Sequence, residues 1–235
     1  MKLGIIGAMD VEIATLRENM TNMQAVEKAG MVFYCGSLNG LECVVVQCGV
    51  GKVNAALCAQ CLCDLFAVSH IVNTGVAGSL NAQLDIGDLV ISQDAIYHDF
   101  DCHVLNGSYV VGQVPGLSVR AFPADEGLIR MAFAAAEAVN PGHNRIGRVA
   151  SGDQFICSKE QKTKIISDTG AFCTEMEGAA IAHGAWRNGV PFVILRAISD
   201  KADDSSEMDY PTFEAIAAKR CALITMMLAE TLAGM

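Results

Sequence analysis

Residues Phe192-Val193-Ile194-Leu195-Arg196-Ala197-Ile198-Ser199-Asp200 form an almost unbroken apolar run that starts after Pro191 and ends on two polar groups. A run without apolar/polar alternation suits a strand covered on both faces, as in sheets flanked by helices. Such a strand needs partners, and the chain offers them at regular intervals. Residues 2–8 read as a short buried strand with a glycine-assisted turn, after which Met9, Ile13, Leu16 and Met20 recur at helical spacing. Residues 32–37 and 41–49 read as two strands joined at Leu38-Asn39-Gly40, because Asn-Gly is a strong hairpin signal. Residues 53–66 read as a helix, and His70 opens a strand leading into a glycine-rich turn at Asn73-Thr74-Gly75-Val76-Ala77-Gly78. Further strands are expected at 84–92 and 146–150, with helices at 125–139, 159–167 and 211–232. The last helix is expected to place Phe213, Ile216, Ala217, Ile224, Met227 and Leu228 on one face. Alternating strands and helices point to an α/β sheet with helices on both faces. With no composition break to mark a linker, residues 1–235 are expected to form one domain.

Composition narrows the function. The net charge of −10, with no run of Lys or Arg, argues against an electrostatic nucleic-acid binder, since phosphate neutralisation supplies most non-specific affinity. The longest apolar runs fall far short of the roughly 20 residues that span a bilayer, so no membrane partner is expected. The start Met1-Lys2-Leu3 leads straight into a strand pattern, so the expected location is the cytoplasm. The ten cysteines are accordingly read as reduced thiols. Cys58-Ala59-Gln60-Cys61, followed by Cys63, has a CxxC spacing but lacks the second ligand pair that a structural zinc site needs, so no metal site is expected.

Two acidic residues flank a methionine in Thr174-Glu175-Met176-Glu177-Gly178, and Ser199-Asp200 closes the apolar strand. Polar groups at strand ends are where open α/β sheets place ligands. Each signal also has a plain structural reading. Thr174-x-x-Glu177 matches a capping box, Ser199-Asp200 matches a polar turn, and Glu12 near the start of a helix is favourable to the helix dipole without any function. Gly4-x-x-Gly7 is not the dinucleotide-binding fingerprint.

Taken as a set and in order, Gly4-Ile5-Ile6-Gly7-Ala8-Met9 with Glu12, Asn73-Thr74-Gly75-Val76-Ala77-Gly78, Ser151-Gly152-Asp153-x-Phe155-Ile156, Glu175-Met176-Glu177 and Arg196-Ala197-Ile198-Ser199-Asp200 resemble the bacterial 5′-methylthioadenosine/S-adenosylhomocysteine nucleosidases, in the purine nucleoside phosphorylase superfamily. The resemblance runs essentially end to end. It implies a single α/β domain around a mixed, partly barrel-like sheet, acting without metal or organic cofactor. It implies Glu12 as the base that activates water and Asp200 as the acid that protonates N7 of adenine. Glu177, beside Met176, would hold the ribose hydroxyls, while Phe155 would stack on the adenine and Ile156 position it through its backbone. Gly78 would lie in the binding turn, Arg196 and Ser199 would support the water and Asp200, and Met9 with Tyr210 would line the pocket for the 5′ substituent. Family members are homodimers in which the partner's loop, here near residues 102–105, closes that pocket.

The implied chemistry suits these residue types. Breaking an N-ribosidic bond leaves positive charge on the sugar and negative charge on the departing purine, as in a glycosidase. An acid and a base on opposite sides of the bond answer both demands. Desolvation at the end of an apolar strand favours the protonated carboxyl that a proton donor must be. The alternative within the superfamily is a phosphate-dependent nucleoside phosphorylase, which needs cations to hold phosphate. Asn73-Thr74-Gly75-Val76 offers no Arg or Lys, and the first loop brings in the carboxylate of Glu12. A nucleoside-binding protein without chemistry is a third reading, and it has no use for both an acid and a base. Val76 stands where family members often carry serine, Asp10-Val11-Glu12 is less acidic than the family's run, and the loop at 100–111 differs in length and composition. These departures leave open the ranking of 5′-methylthioadenosine, S-adenosylhomocysteine, 5′-deoxyadenosine and aminodeoxyfutalosine as substrates.

Overall fold

The computed structural model describes residues 1–105, 109–202 and 206–235, with only the backbone course of 206–209. In chain order the elements are β1 (Lys2–Gly7), α1 (Asp10–Glu18), β2 (Thr21–Lys28), β3 (Met31–Leu38), β4 (Leu41–Gln47), α2 (Lys52–Phe66), β5 (His70–Ser79), β6 (Leu89–Tyr97), β7 (Phe122–Pro123), α3 (Glu126–Val139), β8 (Asn144–Ser151), α4 (Lys159–Thr169), β9 (Cys173–Glu175), α5 (Gly178–Asn188), β10 (Phe192–Asp200) and α6 (Ser206–Ala233). All strands join one mixed sheet in the order β10-β6-β8-β9-β5-β1-β4-β3-β2, with β7 on the side of β6. Because β10 also pairs with β5, the first five strands of that order close into a barrel, and β1, β4, β3 and β2 extend from it as an open wing.

The strand around which the sequence argument turned is buried at all nine positions and paired on both sides, parallel to β5 and antiparallel to β6. Period-two alternation divides its side chains between two cores. Val193, Leu195 and Ala197 face the core shared with α6, through Ile224 and Leu228. Phe192, Ile194 and Ile198 face the core shared with α2 and α5, through Leu62 and Ile181. Arg196 is even-numbered, so a buried guanidinium takes an apolar place in that second row. β1 and β4 split in the same way: Leu3, Ile5, Cys43 and Val45 join one core, and Ile6, Val44 and Val46 the other. No helix among the described residues is long and apolar enough to cross a membrane.

Four local expectations change. Thr21–Lys28 is an edge strand on β3 with nearly every residue exposed, so it lacks the apolar alternation that would have announced it. The expected glycine-rich turn at 73–78 is strand: β5 continues to Ser79, and Gly75 and Gly78 serve close approach within the ladder. The last helix begins at Ser206 and runs through Pro211, and Ile216 is 62% exposed instead of sharing the buried face of Ile224 and Leu228. Finally, Thr174 lies in β9 and the next helix begins only at Gly178, so the capping box does not form. The 100–111 loop expected to depart from the family pattern includes residues 106–108, which lie outside the described residues.

Candidate active site

The C-terminal ends of β1, β5 and β10, the strand β9, the first turn of α1 and the segment after β8 surround a pocket of about 560 Å³. Of the residues singled out in the sequence, Met9, Glu12, Gly78, Phe155, Ile156, Met176, Glu177, Ser199, Asp200 and Tyr210 all line it. Arg196 does not: it lies beneath the floor and touches the pocket through the carboxylates it holds.

Glu12 is the third residue of α1, where its side chain turns back on the helix start. Its Oε2 accepts hydrogen bonds from the N–H groups of Ala8 (2.6 Å) and Met9 (3.1 Å), and its Oε1 accepts from Val76 N–H (3.0 Å). Burial raises its proton affinity above the ordinary glutamate value, while Arg196 and the three backbone donors work against that rise. Gly75 makes the arrangement possible, since a Cβ there would collide with Glu12 and with Arg196 Nη1.

Arg196 is fully buried and donates through Nη2 to Asn73 Oδ1 (2.6 Å) and to Glu175 Oε2. The same nitrogen lies 3.9 Å from Glu177 Oε2. Burial opposes its charge, but Glu175, Glu12 and Glu177 together outweigh that, so its proton is held more firmly than in water. Glu175 is the functional residue that the sequence reading left without a role. Its Oε2 accepts from the N–H groups of Glu177 (3.0 Å) and Gly178 (2.8 Å) as well as from Arg196, and its Oε1 accepts from Ser151 Oγ. One buried carboxylate thus starts helix α5, fixes the backbone of Glu177 and neutralises Arg196. Its place beside Met176 was visible in sequence, but its side-chain partners, Arg196 and Ser151, lie 21 and 24 residues away.

Glu177 is the N-cap residue of α5, yet its side chain leaves that helix, and Oε1 accepts the N–H of Gly51 at 2.8 Å, at the start of α2. Burial, followed by the nearby charge of Glu175, pushes its carboxyl up to about 8. Gly51 is held in turn by a ring of hydrogen bonds. Lys52 N–H donates to Asp153 Oδ1 (2.8 Å), Asp153 N–H to Asp99 Oδ2 (2.9 Å), and Lys52 Nζ to both oxygens of Asp99 (2.7 and 2.6 Å). At the end of β10 a register shift between Ile198 and Asp200 brings Asp200 beside Gly78 of β5. Its Oδ2 accepts from Ser199 Oγ (2.9 Å) and its Oδ1 from Ala202 N–H (2.7 Å). A Cβ on Gly78 would lie 2.8 Å from Asp200 Oδ1, so only glycine leaves the carboxyl its place.

The mouth is apolar and more open. Phe155 is 46% exposed and meets Tyr210 edge-on at 5.5 Å between ring centroids. The Tyr210 hydroxyl donates to Glu214 Oε1 (2.8 Å) and lies 3.4 Å from Met9 Sδ. Among the described residues lining the pocket there is no Lys or Arg. The pocket is therefore lined by the carboxyl groups of Glu12, Glu175, Glu177 and Asp200, with a buried cation behind them.

Residues 2–231 match the model of the phosphorylase superfamily. A 5′-methylthioadenosine/S-adenosylhomocysteine nucleosidase from Oceanobacillus iheyensis is 40% identical over 224 residues, covering 94% of this chain and 96% of the relative. The structure of a nucleosidase of the same name from Neisseria meningitidis, in complex with methylthio-immucillin-A, superposes with a TM-score of 0.94 at 36% identity, over 98% of this chain and 99% of that one. A futalosine hydrolase of Helicobacter pylori superposes with a TM-score of 0.93 at 32% identity, over 98% of both chains.

Proposed function

Since the chain belongs to the phosphorylase superfamily and, within it, to the 5′-methylthioadenosine/S-adenosylhomocysteine nucleosidases, we propose that it hydrolyses the N-ribosidic bond of these two nucleosides, releasing adenine and the 5′-substituted ribose. One observation carries the reading. The pocket holds a carboxylate gripped by three backbone N–H groups, Glu12, together with Asp200, and among the described residues no cation lines it to receive phosphate.

In this reading Glu12 takes a proton from water as the water oxygen bonds to C1′ of the ribose. The bond from C1′ to N9 breaks, its electron pair passes into the purine, and Asp200 supplies the proton that the purine takes up at N7. A proton affinity raised above the ordinary carboxylate value suits a general base working near neutral pH. Glu177 accepts hydrogen bonds from the ribose hydroxyls, which favours its ionised form and places negative charge beside the cationic sugar of the transition state. Glu175, paired with Arg196, holds the backbone of Glu177, the charge of Arg196 acts on Glu12, and Ser199 orients Asp200. Phe155, Ile156 and Met176 enclose the base, and Gly78 leaves room for Asp200 beside it. Met9 and Tyr210 receive the 5′ substituent.

The protein is further proposed to act as a cytoplasmic homodimer. Val53, Leu57 and Leu65 of α2 are all more than half exposed and repeat at multiples of four, with Cys61 between them, which makes an apolar stripe facing outward. Val104 and Leu105 are likewise exposed, in the loop that would close the partner's pocket. Hydrolysis is tested by incubating 5′-methylthioadenosine with the protein in phosphate-free buffer and then with phosphate. Adenine release at the same rate in both, with no sugar phosphate in the ³¹P spectrum, is the expected result. Release that requires phosphate would establish the phosphorylase instead.

A further inference from the structure

The hydroxyl of Thr174 has no role in the reaction just described and no hydrogen-bond partner among the described residues, although the residue is only 5% exposed and lines the pocket. Leaving a buried hydroxyl unpaired costs of the order of a lost hydrogen bond, and native structures rarely keep one without a use. A valine would fill the same space without that cost. Its location says which part of a ligand it meets. Thr174 pairs with Gly78 across the β5–β9 ladder, and Gly78 is the residue whose missing side chain accommodates Asp200. The groups assigned to the water and to the ribose lie elsewhere: Glu12 is over Gly75, and the Glu177 carboxyl is at Gly51. Thr174 therefore belongs to the side of the pocket that receives the base.

We propose that Thr174 is a base-recognition residue whose hydroxyl, after a step of χ1 between staggered wells, makes a hydrogen bond with a ring nitrogen or the amino group of the bound purine. A threonine hydroxyl can donate or accept, so either edge group of the base can be met. The inference rests on the nucleosidase reading. It makes a prediction of opposite sign for the free and bound protein, which a purely structural role does not. Thr174→Val should leave the thermal midpoint of the unliganded protein unchanged or raise it, while the Kd for adenine, read by calorimetry, rises about five- to tenfold, the loss of one modest hydrogen bond. Thr174→Ser keeps the hydroxyl and should bind adenine within about twofold of wild type; it also serves if the valine variant does not fold, since loss of adenine binding in a folded serine variant contradicts the proposal. An adenine Kd within twofold of wild type in Thr174→Val overturns the proposal, as does a clear fall in that variant's unliganded midpoint. Wild-type release of adenine from 5′-methylthioadenosine is measured in the same preparation. No release sinks the nucleosidase reading itself, whereas release with an unchanged Kd in the variant sinks only the role of Thr174.

Discussion

At the floor of the pocket Glu12, Glu175, Glu177 and Arg196 are each less than a tenth exposed and are tied to backbone groups and to one another, whereas at its mouth Phe155 is nearly half exposed and packs only edge-on against Tyr210. The floor is assembled from the ends of central strands and the starts of two helices, so its geometry follows from the fold. The mouth is assembled from loops and the beginning of α6. Buried charges tolerate little displacement, because each lost partner leaves an uncompensated ion. Apolar walls tolerate a good deal. On the proposed function the chemistry falls to the tightly held part, and the choice of 5′ substituent to the more open part.

Perturbing the floor should cost most. Asp200→Asn removes the proposed proton donor and should lower kcat by about 10²–10⁴-fold, the usual contribution of one acid or base, with adenine binding still measurable; a variant within tenfold of wild type would break the assignment. Glu175→Gln comes next. The amide presents a donor where backbone N–H groups and Arg196 already donate, and the buried guanidinium loses its main counter-charge. Breaking such a buried pair from one side costs about 3–5 kcal/mol, which urea denaturation would read directly, and kcat should fall with it. At the mouth, Tyr210→Phe removes only the hydroxyl shared with Glu214 and Met9. About 1 kcal/mol of stability is the expected loss, with kcat within about twofold of wild type and any larger effect confined to the KM of substrates with long 5′ substituents. A large fall in kcat would place the mouth in the chemistry and dissolve the distinction.

Three carboxyl groups of the pocket, Glu12, Glu177 and Asp200, were legible in the sequence as candidates, and the groups that hold them were less so. Each of them alone also fits a capping, helix-dipole or turn role, and it was the set of motifs in order that singled them out. Glu175 stands beside Glu177 and looked equally plausible, but its role is defined by Arg196, Ser151 and the start of α5, contacts that no local period encodes. The ring of Lys52, Asp99 and Asp153 was illegible for the same reason, being closed by the start of α2 and two loops far apart in the chain. Strand β2 was missed because an exposed edge strand needs no apolar face. The glycines of β5 were taken for a turn because glycine signals turns more often than close approach. Their use became plain only with Glu12, Arg196 and Asp200 in place.

The division between floor and mouth is tested most directly by measuring kcat/KM for 5′-methylthioadenosine, S-adenosylhomocysteine, 5′-deoxyadenosine and aminodeoxyfutalosine with the wild type and with Glu12→Gln. If the floor alone carries the reaction, the variant loses the same factor, about 10²–10⁴, on every substrate the wild type accepts, and their rank order is unchanged. A loss that differs widely from one 5′ substituent to another, or near-wild-type turnover on any of them, would contradict it.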